Sequence, residues 1–92
     1  MTQVFLAKTP KTILKSYSPV DQETVGWAIS VLEDDAARDA NKIDLALVED
    51  GMKVWAFIPG SVWLGFVEQP DGSVVVVHLS ILSRFRAAQR RD

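Results

Sequence analysis

The sequence predicts a single α+β domain: an N-terminal strand, a helical hairpin and then an antiparallel three-strand meander. Three observations carry this. Two helix starts headed by proline, Thr9-Pro10 and Ser18-Pro19, fall early in the chain. The stretch "KVWAFIPGSVWLGFVEQPDGSVVVVHL", Lys53 to Leu79, alternates β-rich runs with turn dipeptides. The length of 92 residues holds one core and not two, so residues 1 to 92 form one domain.

Val4 to Ala7 is a short apolar run and reads as the first strand. Thr9 is placed to cap a helix whose first position is Pro10, with Ile13, Leu14 and Tyr17 on its apolar face. Ser18 caps the second helix in a box-like start, with Asp21 three residues on and favourably placed for the helix dipole. Val25, Ala28, Ile29 and Leu32 follow at helical spacing, so the helix runs from about Pro19 to Glu33, with an extension to Arg38 open. Trp27 is expected in the core.

Residues 39 to 52 allow a short strand or helix around Ile43 to Val48, ended by an Asp50-Gly51 turn. The meander then comprises Lys53 to Ile58, Val62 to Glu68 and Ser73 to Leu79, joined at Pro59-Gly60 and at Gln69-Pro70-Asp71-Gly72. The valine run from Val74 to Val77 predicts a central strand buried on both faces, with the Lys53 and Val62 strands more exposed. Ser83 to Asp92 reads as a last helical turn or a basic tail.

Composition narrows the chemistry. There is no cysteine, which excludes disulfides and thiolate metal sites, and His78 is the single histidine, so no metal centre and no cofactor is expected. The N-terminus has neither the basic region nor the long apolar run of a signal peptide or membrane span, and a soluble, cytoplasmic protein with no membrane contact is expected. A formal net charge of -2 conceals strong segregation. Lys8, Lys11 and Lys15 stand alone at the start, and Arg84, Arg86, Arg90 and Arg91 crowd the end. Between them Asp21, Glu23, Glu33, Asp34, Asp35, Asp39, Asp44, Glu49 and Asp50 face only Arg38 and Lys42. Two basic ends that meet in space would form a face for an anionic partner.

Candidate binding residues are Trp55 and Trp63, read as a cross-strand aromatic pair near Phe57 and Phe66, together with Lys53 and the four C-terminal arginines. Catalytic candidates are His78, Arg84 and Arg86, with Glu49 or Asp50 as a base. A histidine inside a valine strand is more often a hydrogen-bonded structural residue than a catalytic one.

The order of strand, two helices and meander resembles the RelE/ParE toxin superfamily of bacterial toxin-antitoxin systems. The likeness rests on Lys53-Val54-Trp55 as the entry to the meander, Pro59-Gly60 as its turn, Leu64-Gly65-Phe66 as the next strand and Asp71-Gly72-Ser73-Val74-Val75-Val76-Val77 as the last hairpin. It implies a toxin acting on translation by ribosome-dependent mRNA cleavage, or on DNA gyrase, and neutralised by an antitoxin protein. Trp63 stands where the RNA-cleaving members carry an arginine, and Ile81-Leu82 where they carry a tyrosine or a histidine-tyrosine pair, so their active site is not carried over. The alternative is a noncatalytic binding module of the same fold, such as a phage or mobile-element inhibitor.

Overall fold

The structure, a computed structural model, describes residues 2–82. The elements run β1 (Val4–Leu6), α1 (Lys8–Ser16), α2 (Pro19–Leu32), α3 (Asp35–Asn41), β2 (Ile43–Glu49), β3 (Met52–Phe57), β4 (Val62–Glu68) and β5 (Val74–Ile81). The strands form one five-stranded sheet in the order β1-β5-β4-β3-β2. Strands β2 to β5 are antiparallel neighbours, whereas β1 joins β5 in parallel through Val4 to Val74 and Leu6 to Val76. The domain is thus mixed α/β, and the expected meander of three strands is one of four, flanked by a parallel fifth.

The helix starts show how local chemistry competes. Ser18 caps α2 as expected, its hydroxyl accepting from the Asp21 backbone N–H at 3.2 Å with Pro19 in the first turn. Thr9 does not cap α1. The helix begins one residue earlier, at Lys8, because Ala7 already donates its N–H to Val76 and accepts from Lys11 as the chain leaves the sheet. Pro10 is tolerated there, since the first-turn N–H groups have no intrahelical partner to lose.

The possible extension of α2 to Arg38 is broken at Asp34. Its carboxylate accepts from the backbone N–H groups of Ala36 and Ala37 and starts a separate helix, α3. The new direction carries Arg38 under the helices, where it is buried. Its guanidinium donates to the Leu32 carbonyl at the end of α2 and pairs with Asp35 and Glu68. The helical layer therefore has three members, not two, and an arginine closes the gap between α2, α3 and β4.

One sheet face takes that layer. Val25, Ala28 and Leu32 of α2 pack on Phe57, Val62, Leu64, Phe66, Val74, Val76, Leu79 and Ile81, with Val4, Leu6, Ile13, Leu14 and Tyr17 closing the margin. Fully burying each large member is worth about 1.5–3 kcal/mol. The middle strand is β4, and five of its seven residues are buried. β5 alternates instead, its Val75 and Val77 half-buried and His78 exposed. Both exposure expectations are reversed, because the three-residue β1 shields little of β5 whereas β4 has long neighbours on both sides. Trp27 is also corrected: it is 53% exposed. At 100° per residue it lies about 200° around α2 from Val25, off the buried stripe and beside the β3–β4 turn at Gly60.

Candidate functional site

The site is built on the sheet face opposite α2, at the β5 edge that α1 flanks. Residues facing that way include Trp63, which pairs with Ser80, and Gly65, which pairs with His78. A bulge follows immediately: Phe66 pairs with Val76, so Val77 is the extra residue beside His78. Bulges bend a strand and re-aim the neighbouring side chain. Gly65 supplies the space that His78 uses. A Cβ at that position would come within 3.0 Å of His78 Cβ, 3.1 Å of its ring and 3.2 Å of the Trp63 ring. The imidazole and the indole therefore lie over bare backbone, ring centroids 6.2 Å apart and tilted by 49°.

The partner of His78 arrives from the far edge of the sheet. Glu49 Oε2 lies 2.8 Å from His78 Nε2, although β3 and β4 stand between their strands. Three strand spacings of a flat sheet span about 14 Å, so β2 must curl over this face. A bulge in β2 does the bending. The pairing slips between Asp44 and Leu47, and Ala46 adopts a left-handed φ of 53°, held by its N–H donating to Asp44 Oδ1 at 2.8 Å. That bond, and Lys53 beside it, hold the Asp44 carboxyl below the usual value. The Asp50-Gly51 turn, with φ of 51° and 77°, has the two left-handed residues of a tight hairpin and fixes Glu49 against Met52. Backbone kept in such conformations by its surroundings concentrates at functional sites.

The curl also encloses space. A groove of about 290 Å³ opens beside the pair, walled by Leu45 and Leu47 of β2, Trp63 of β4, Val77 and Ser80 of β5, and Ile13 of α1. Its lining is mainly apolar and includes no lysine or arginine. His78 and Glu49 are partly exposed, at 47% and 39% of their side-chain areas, and His78 also lines the groove. With Nε2–H donating to Glu49, the carboxylate fixes the ring and leaves Nδ1 to accept a proton. This is the geometry of an oriented general acid–base. The groove offers stacking and apolar contact from Trp63, hydroxyls from Thr9 and Ser80, and the imidazole of His78. It offers no cation for phosphate among the described residues.

The candidate residues are thus sorted. Trp63, His78 and Glu49 are brought together. Trp55 and Trp63 are not a pair: Trp55 lies opposite Phe66 on the helix-covered face, and Trp63 points to the other side. The even and odd positions of the β3–β4 register separate them. Trp55 is instead flanked by two ammonium groups, Lys42 at 4.4 Å and Lys53 at 5.0 Å from its ring centroid, with Lys53 also bound to Asp44 at 2.9 Å. Asp50 belongs to the turn. Arg84, Arg86, Arg90 and Arg91 lie outside the described residues. Leu45, Leu47 and Gly65 were not singled out from sequence. A glycine in the middle of a strand, the usual mark of a bulge or close approach, was the signal for the last.

No group of three or more potential metal ligands occurs among the described residues, and no described helix is long and apolar enough to cross a membrane. No protein-family model, curated protein or solved structure matches the chain.

Proposed function

We propose that the chain is a toxin-like component of a bacterial type II toxin-antitoxin system, related in kind to the RelE/ParE proteins, and that it works through the face bearing Glu49, His78 and Trp63. The observation that carries this reading is the division of the sheet: α2 on one face and, on the other, an oriented histidine–carboxylate pair beside an apolar groove that α1 helps to wall. The order of first strand, helices and antiparallel meander adds support.

Within that reading, action by binding, as on gyrase, is favoured over mRNA cleavage. Attack by a ribose 2′-hydroxyl develops charge on phosphorus that cations or donors must stabilise, and among the described residues the groove lining has no lysine or arginine. A second reading, a noncatalytic module that binds another protein, is favoured by the large apolar side chains exposed away from this groove, Trp27 and Ile43 among them.

Induction of the chain in bacteria, with ribosome-bound mRNA and plasmid supercoiling followed in the same cells, is the test. Growth arrest with altered supercoiling is the expected result. Arrest with cut mRNA would instead assign acid–base work to His78, and His78→Ala would then abolish it. Normal growth with soluble, folded protein would overturn the toxin reading in favour of the binding module.

A further inference from the structure

Helical phase creates a second feature on the other side of the molecule. Val20 falls within about 20° of Trp27 around α2 at 100° per residue, and the two are 71% and 53% exposed. The indole is not a loose side chain. It rests on the β3–β4 turn at Gly60, where a Cβ would come within 3.2 Å of the ring. An aromatic surface already held in place loses little freedom on binding.

Beside the ring lies a hollow of about 410 Å³, formed by Trp27, Val31, Ile43, Phe57, Ile58 and Pro59. Ile43 and Ile58 are themselves 49% and 42% exposed. Three large apolar side chains from α2, β2 and the end of β3 thus share one concave patch, an arrangement that marks an interaction surface.

The surrounding charge identifies what fits. The sequence has no lysine or arginine between Lys15 and Arg38, where it places Asp21, Glu23, Glu33, Asp34 and Asp35. Glu23 shares a shallow depression with Val20 and Trp27, and Glu33 to Asp35 line another at the end of α2. Of these acids Asp35 pairs with Arg38, which is itself buried. A second copy presenting the same face would set acid against acid.

We propose that this hollow is the docking site for a basic amphipathic segment of another protein, which inserts an apolar anchor beside Trp27 and lays lysines or arginines against the acids of α2. The site is independent of the Glu49–His78 groove and of any toxin activity.

Two synthetic helical peptides with identical apolar residues, one with lysine and one with glutamate at its polar positions, test this by NMR on the isotope-labelled protein. The lysine peptide is expected to shift the Trp27 indole N–H and the Ile43 and Ile58 amides, and the glutamate peptide to shift none of them. Trp27→Ala should weaken binding at least tenfold and Glu23→Lys several-fold, both variants keeping native amide spectra because both positions are exposed. Equal binding of the two peptides, unaltered binding by Trp27→Ala, or no shift with either peptide would overturn the proposal. Concentration-dependent dimerisation that Trp27→Ala abolishes would do the same, by giving the hollow to a second copy.

Discussion

Gly65 decides where the His78 ring lies, and a single methyl group tests it. Gly65→Ala places a Cβ 3.0–3.2 Å from His78 and Trp63 in a buried strand, so it should cost about 1–3 kcal/mol as an overpacked site in a urea titration, and displace the imidazole resonances. Removing the ring should be far milder. His78→Ala breaks only a partly exposed pair, worth about 0–1 kcal/mol, so loss of function in that variant would report chemistry or contact rather than unfolding. Arg38 is the opposite case. Arg38→Ala withdraws a buried cation from Glu68, Asp35 and the Leu32 carbonyl together, and is expected to cost about 2 kcal/mol or more in chemical denaturation, with Lys42 still neutralising part of Glu68.

At the scale of the element, turns and caps carry the pH response. The Asp71 carboxyl is held below its usual value first by the Ser73 hydroxyl and then by the Ser73 N–H. The hydroxyl of Thr2, followed by Arg38, does the same for Asp35. A carboxylate whose value is lowered on folding contributes stability that is complete above its unfolded value, near 3.9, and is lost as pH falls through the lowered folded one. The thermal midpoint should therefore be insensitive to these groups above about pH 5 and fall below pH 4. Asp71→Asn should flatten part of that fall, which a melting series from pH 6 to pH 2 would read. The elements differ in how far they were legible. The Ser18 cap, the Val62–Glu68 strand and the glycine turns each depend on chemistry within a few residues, and the sequence states it. The break at Asp34 is local too, its carboxylate capping Ala36 and Ala37, but the direction of α3 is not, because it follows from Arg38 reaching Leu32 and Glu68. β2 was ambiguous for a related reason: as a bulged edge strand its apolar residues alternate irregularly, and the Glu49–His78 contact exists only because the strand curls.

For the molecule as a whole, the helix-covered core depends on few large residues. Phe66 is fully buried in the middle strand beneath the helices. Phe66→Ala is expected to cost about 3–5 kcal/mol, a large share of a total of about 5–15 kcal/mol, and to lower the thermal midpoint markedly by circular dichroism. Which strands pair was partly readable; which is central was not, because the valines of β5 and the mixed residues of β4 gave the wrong ranking until β1 proved so short. That small strand has a temporal consequence. It pairs in parallel with residues about 70 positions later in the chain, so at about 5–20 residues per second a ribosome needs several seconds to supply its partner after making it. Over that interval Val4 and Leu6 lack the strand they pair with, and a chaperone that recognises short apolar peptides would find them open.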